Sequence, residues 1–149
     1  MTCNKIRVAN NQRGALGNNW KNGRSNLRKY LQKIIVDWKK KSMANYNYKC
    51  VVTGKSFEVI HHLYSFNKII SEALSELGLE HYVFIGEYSQ DEIQPIADKV
   101  IEIHSRYPLG VPLIKNVHNR FHSLYGKLDN TPSQFYDFID KIKSGEIII

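Results

Sequence analysis

YKCVVTGKSFEVIHHL, residues 48–63, is the stretch that decides the fold of this chain. Its two strand-like segments flank the sequence TGKS, which is typical of a turn, so the pattern predicts a β-hairpin over residues 48–62. Further along, GVPLIKNVHNRFHSLYG at residues 110–126 combines a short apolar run with a helical pattern that ends at a glycine. This second stretch predicts a strand followed by a helix over Lys115–Tyr125.

Four of the six histidines lie in these two stretches. His61 and His62 end a predicted strand, and neighbours on a strand point to opposite sides. One of them can therefore bind a metal while the other does separate work. His118 and His122 are four residues apart on a predicted helix, so they share a face. Each pair alone is a weak signal, whereas both pairs beside a basic segment are far more specific.

The remaining residues are mainly helical in pattern. Four further helices are predicted over 26–43, 66–77, 89–104 and 131–144, and Pro95 favours a late start or a kink in the third. We therefore expect one domain over residues 25–149, with an N-terminal basic helix, an insertion at 65–108 and a C-terminal helix at 131–144. His104 closes an apolar helix face and is predicted to be structural, and His81 is predicted to lie in a surface loop.

Positive charge is concentrated at the start of the chain. The formal net charge is +7, but residues 1–50 hold twelve Lys and Arg against one acid. Residues 1–24 are predicted to be a basic arm rich in Asn and Gly. Such asymmetry favours a nucleic-acid-binding segment over the alternative of a merely solvated basic helix. The candidate DNA-binding residues are Arg24, Arg28, Lys29, Lys33, Lys39, Lys40 and Lys41.

Composition excludes several classes of protein. Two cysteines are too few for a disulfide scaffold or a four-cysteine zinc site. No apolar run approaches ~18–20 residues, so we expect no transmembrane helix and no membrane partner. The N-terminus lacks an apolar signal core, which predicts a cytoplasmic protein, in the host cytoplasm if phage-encoded.

The two quoted stretches resemble the HNH endonucleases, and most closely the small phage-borne enzymes of the homing type. The similarity covers about residues 18–138, since NNWKNGRSNLRKYL and NTPSQFYDFI also match that group. The resemblance implies an α+β fold, mainly helical, with a small ββα-metal finger and a helical insertion. It also implies that His62 is the general base, that His61 and His118 bind the metal, and that His122 is a further ligand, as in the colicin-type branch.

The resemblance further implies double-stranded DNA as the partner and one divalent metal ion as the cofactor. Mg²⁺ or Mn²⁺ is expected to support activity, and Zn²⁺ or Ni²⁺ is compatible with imidazole ligands. The sequences Cys50-x-x-Thr53 and Ile114-x-x-Val117 stand where many relatives have CxxC knuckles. We therefore expect no structural zinc, with apolar packing in its place.

Two other positions depart from the family's pattern. Leu109, next to Gly110, stands where the middle asparagine of the motif usually lies. Spacing alone does not choose a substitute, and the candidates are Asn67, Asn116 and Asn119. In addition, 55 residues separate His62 from His118, which is long for a finger and is attributed to the insertion.

The leading hypothesis is a metal-dependent DNA endonuclease that hydrolyses phosphodiester bonds. The alternative is a non-catalytic DNA-binding module with a structural metal site. His62 argues against this alternative, because a structural site has no use for a base beside its ligand. A nuclease that acts on RNA ranks lower, because nothing in the sequence indicates recognition of the 2′-hydroxyl.

Overall fold

The computed structural model describes residues 26–149, which form an α+β fold that is mostly helical. The predicted arm at residues 1–24, with Arg24, lies outside the described residues. The described part contains a small two-stranded antiparallel sheet and a single 3₁₀ turn at Ile85–Glu87. In chain order the other elements are α1 (Leu27–Ile34), α2 (Val36–Asn45), β1 (Val59–His61), α3 (Phe66–Glu76), α4 (Gln90–His104), β2 (Val111–Leu113), α5 (Lys115–Tyr125) and α6 (Pro132–Lys143).

The basic helix is divided in two, so the prediction of one continuous helix over 26–43 is wrong. Ile35 leaves the helical region, with φ −94° and ψ 40°, and separates α1 from α2. It lies in a run of three β-branched residues, which have low helix propensity, and its side chain is buried. The Lys39 ammonium donates a hydrogen bond of 2.8 Å to the Gln32 carbonyl, which pairs one of the last carbonyls of α1.

The predicted hairpin at 48–62 is confirmed only in part, because its two halves meet at a single antiparallel bridge between Lys49 and Ser56 and not as two paired strands. Its first half forms a tight turn, because the Cys50 N–H donates to the Lys55 carbonyl and the Gly54 N–H donates to the Cys50 carbonyl. The backbone at Tyr48 is left-handed, with φ 61°, which is incompatible with a strand at that point. The second half, β1, pairs instead with β2 in an antiparallel register that sets His61 opposite Val111.

The predicted insertion at 65–108 contains two helices, α3 and α4, which pack on each other and lie between β1 and β2 in the sequence. Ser89 and Glu92 form the capping box that begins α4. Of the two alternatives expected at Pro95, a late start or a kink, the late start is wrong, since α4 begins at Gln90 and has Pro95 inside it. Pro95 lacks the N–H that would reach the Asp91 carbonyl, and Asp91 is exposed, so water can pair that carbonyl.

Two apolar cores hold the fold together. The first joins α1–α4 and includes Leu31, Ile69 and Val100, all almost fully buried. The second joins the sheet to α5 and α6 around Phe121 and Phe138. Three residues from the positions compared with CxxC knuckles contribute to the second core: Cys50 and Val117 are buried in it, and Ile114 packs against it.

In the described part of the chain, no helix has the length and apolar character needed to cross a membrane.

Candidate metal centre

Three of the predicted site residues meet at one point. His61 ends β1, and His118 and His122 lie one turn apart on α5. One ligand nitrogen from each of the three rings lies within 4.8 Å of the other two. The Nε2 atoms of His118 and His122 are 3.0 Å apart. The arrangement follows from the strand pairing, because β2 leads directly into α5 and brings that helix beside the end of β1.

The rings are held in place by their surroundings. His61 is 2% exposed and contacts the edge of Phe121 and the face of Phe135, with ring centroids 4.6 and 5.3 Å away. Nδ1 of His122 lies 2.7 Å from the Gly126 carbonyl oxygen, which can only accept a hydrogen bond. Nδ1 of His122 therefore carries a hydrogen, and in a neutral ring Nε2 has the lone pair, so Nε2 of His118 can donate to it where a bound ion would otherwise lie between them.

The donor set fits a divalent cation. Burial, followed by the neighbouring His118 and His122, lowers the pKa of His61 to about 3. Burial and the adjacent His122 lower the pKa of His118 to about 4, so both rings are neutral at pH 7. Nε2 of His61 is buried and has no hydrogen-bond partner among the described residues. An unpaired buried nitrogen is unfavourable, and a cation shared by the three imidazoles would satisfy it.

His62 points away from this cluster, into the first core. Its ring lies between Trp38 and Phe66, with centroids 4.1 and 4.9 Å away and interplanar angles of 19° and 20°. Burial, followed by the neighbouring His104, lowers the pKa of His62 well below its ordinary value, so the ring is neutral. As expected for adjacent residues of a strand, the side chains of His61 and His62 therefore point to opposite sides of the backbone.

His104 is the site residue that sequence reasoning missed. It was predicted to be a structural histidine, and it is indeed buried on the apolar face of α4. However, its Nε2 atom lies 3.2 Å from Nε2 of His62. The contact spans 42 residues of sequence, and the only sequence signal was a histidine at the apolar end of a helix face.

One cavity of about 570 Å³ is lined by residues from both sides of β1. His61, His118 and His122 line it together with His62. Such a concave space, with a few polar groups that converge on it, is the usual form of a small-molecule or active site. A candidate base and a candidate metal cluster therefore share one cavity.

The basic residues fall into two groups around this cavity. Arg28 and Lys39 line it, and the Arg28 guanidinium lies 5.3 Å from the centroid of the Phe66 ring. Arg28 is exposed as a whole, but partial burial of its guanidinium lowers its pKa from the usual value, and the group remains charged. The other described members of the predicted set are exposed and outside the cavity lining: Lys29, Lys33, Lys40 and Lys41.

The position of the middle asparagine is occupied by a tightly packed loop. The Gly110 N–H donates a 2.9 Å hydrogen bond to Ser42 Oγ, which in turn donates to the Trp38 carbonyl. A Cβ atom at Gly110 would lie 2.6 Å from both Ile60 Cγ2 and Trp38 Cη2. Only glycine fits there, and Ser42, which sequence reasoning missed, ties this loop to α2. Of the candidates that spacing left open, Asn67 lines the cavity, and Asn116 and Asn119 are exposed.

Comparisons with known proteins give a partial match. No protein-family model matches the chain, and no solved structure matches it. The chain is 37% identical over 70 residues to the SPbeta prophage-derived uncharacterized protein YomD of Bacillus subtilis (strain 168). The aligned segment covers 45% of this chain and 26% of that relative, so the chain matches about a quarter of the relative's length.

Proposed function

We propose that this chain is a phage-encoded, metal-dependent DNA endonuclease of the HNH type. The observation that carries the proposal is the single cavity lined by His62 and by the cluster of His61, His118 and His122. The order of β1, β2 and α5 supports a ββα-metal finger whose two strands are separated by the insertion. The prophage origin of the similar protein supports a phage source.

His61, His118 and His122 would hold the ion, with His122 oriented through its bond to Gly126. When bound, a divalent cation supplies Lewis-acid stabilisation to the scissile phosphate and the leaving oxygen. Three imidazole donors favour a first-row transition ion over Mg²⁺ in affinity. A set of three protein ligands beside an open cavity is typical of catalytic sites, whereas structural sites are closed by four ligands.

His62 would act as the general base. Its neutral ring accepts a proton from a water molecule, whose oxygen adds to phosphorus while the P–O3′ bond breaks. The departing 3′ oxygen takes a proton from solvent, which leaves a 3′-hydroxyl and a 5′-phosphate. Arg28 and Lys39 supply the positive charge that the cavity needs to accept a phosphodiester.

The direct test is cleavage of DNA by the full chain. The substrate is a supercoiled plasmid that carries the DNA flanking the gene of this chain. We expect nicked or linear product with Mn²⁺, Mg²⁺, Zn²⁺ or Ni²⁺, and none in EDTA. A His61→Ala/His118→Ala double variant, purified in parallel, controls for contaminating nucleases. Binding without cleavage under every metal condition would instead favour the non-catalytic module, and cleavage confined to RNA would contradict a DNA enzyme.

The basic segment gives a second test, by DNA binding across a salt series. Each lost phosphate contact should flatten the slope of log K against log salt by ~0.9. We expect this loss for at least two residues of the set, beginning with Arg28→Ala and Lys39→Ala, since both residues line the cavity. Lys33→Ala and Lys40→Ala test the exposed face.

Lys143→Ala, at the exposed end of α6, is the matched control and should leave the slope unchanged. Unchanged slopes in all four test variants would place DNA docking elsewhere, with the arm at residues 5–24 as the next segment to examine.

A further inference from the structure

We infer that His104 is a positioning residue that determines which nitrogen of His62 accepts a proton. The catalytic meaning of this inference rests on the proposed function, whereas the contact itself does not. His104 comes from α4, within the insertion, and His62 follows β1. The insertion thus contributes a side chain to the site in addition to its apolar packing.

The backbone of α4 determines which nitrogen of His104 carries the hydrogen. Nδ1 of His104 lies 2.7 Å from the carbonyl oxygen of Val100, one turn earlier in the same helix. A carbonyl oxygen can only accept, so Nδ1 of His104 carries the hydrogen. In a neutral imidazole the other nitrogen then has a lone pair, and the buried setting favours the neutral ring. The Nε2 atom of His104 is therefore an acceptor.

That acceptor faces Nε2 of His62 at 3.2 Å. Two lone pairs at this distance would repel, so Nε2 of His62 must carry a hydrogen and donate it to His104. Nδ1 of neutral His62 is consequently left with the lone pair. Among the described residues, the contact with His104 through Nε2 is the side-chain hydrogen bond of His62, so it leaves Nδ1 free to accept, and His62 lines the cavity. A helix carbonyl thus selects, through His104, the nitrogen of His62 that keeps the lone pair and can accept a proton.

The same contact fixes the rotation of the ring. Trp38 and Phe66 stack on its two faces, which sets the ring plane but still allows a half-turn of the ring about the Cβ–Cγ bond, since that rotation returns the ring to the same plane. A half-turn would exchange Nε2 of His62 for a carbon opposite His104 and lose the hydrogen bond. Without His104, His62 would therefore divide between two orientations, and only one of them would present Nδ1 as in the wild type.

The contact is tested directly in the wild-type protein. An N–H···N hydrogen bond transmits a scalar coupling between its nitrogens, so ¹⁵N-labelled protein should show a coupling between Nε2 of His62 and Nε2 of His104. A histidine that only fills space would show none. This measurement requires neither DNA nor a variant that folds, and absence of the coupling in the wild type would overturn the inference whatever the activity.

Two variants then test the effect on cleavage. In His104→Phe the acceptor is lost while the ring volume is kept, and in His104→Gln an amide oxygen can replace the acceptor. By analogy with partners that orient metal-binding histidines, we expect single-turnover cleavage to fall about 10- to 100-fold in His104→Phe. His104→Gln should recover most of the rate, and both should bind Ni²⁺ as the wild type does.

Each result has a distinct meaning. Wild-type rates in a folded His104→Phe protein would overturn the positioning role. Equal loss in the Phe and Gln variants would overturn it too, because packing alone would then explain the defect. If the wild type shows the coupling but cuts no DNA under any metal condition, the proposed function fails while the contact between the two histidines stands.

Discussion

His62→Ala should reduce DNA cleavage by ~10²–10⁴ and leave metal binding nearly intact, since loss of a general base typically has an effect of this size. The geometry separates the two proposed roles, because His62 packs between Trp38 and Phe66 while the candidate metal cluster lies on the other side of the strand. Single-turnover cleavage under saturating Mn²⁺ measures the first quantity. Calorimetric titration with Ni²⁺ measures the second.

The control for this variant is His81→Ala, which changes an exposed histidine outside the cavity lining. It should cleave DNA as the wild type does. Removing the His62 ring also removes an aromatic stack, so thermal unfolding of each protein must accompany the rates. A folded His62→Ala protein that turns over at the wild-type rate would eliminate His62 as the base.

His118→Ala should abolish both metal binding and cleavage. His118 is one of only three nitrogen donors in the cluster, and its loss leaves two ligands, too few to retain a divalent ion at micromolar concentration. His118 is half-buried, whereas His61 is 2% exposed, so the fold should tolerate the change better at this position. Titration with Ni²⁺ and plasmid cleavage are measured on the same preparation.

The comparison of His62→Ala with His118→Ala separates the proposed base from the proposed metal ligand. His62→Ala should bind the ion without cutting, and His118→Ala should do neither. Wild-type affinity for Ni²⁺ in His118→Ala would contradict the assignment of the cluster, whatever happens to cleavage. Restored cleavage at high Mn²⁺ concentration in His118→Ala, but not in His62→Ala, would support the division of roles.

Local patterns in the sequence predicted what depends on neighbouring residues. The capping boxes at Ser89 and Thr131 start α4 and α6, as the sequence indicated. The separation of His61 from His62 follows from strand alternation, and the shared face of His118 and His122 follows from helical spacing. These are short-range rules, and they bring candidate ligands together once the strands pair.

The predictions that failed concern contacts between segments that are distant in the sequence, or the residues at which helices end. Strand β1 pairs with β2, about fifty residues away, because the nearer segment is held in a turn by Cys50 and Lys55. The break at Ile35 lets both α1 and α2 pack on the first core. The helical spacing of apolar residues, which was the basis of the prediction, does not indicate such a break. The approach of His104 to His62 depends on how α4 packs and has no local signature.

Because His61 and His62 are adjacent in the chain, the site should tolerate some small movements of the protein around it. The His61 ring packs against Phe121 and Phe135 of the second core. The His62 ring packs between Trp38 and Phe66 of the first core. The Cα atoms of His61 and His62 are joined by one peptide unit and are therefore ~3.8 Å apart. If these two sides of the protein shift against each other, the covalent bonds keep the two Cα atoms at this spacing, and the rings can move relative to each other only through their backbone and side-chain torsions. Substitutions that weaken the contact between the two cores should therefore disturb the site less than substitutions that remove the aromatic contacts of either histidine ring.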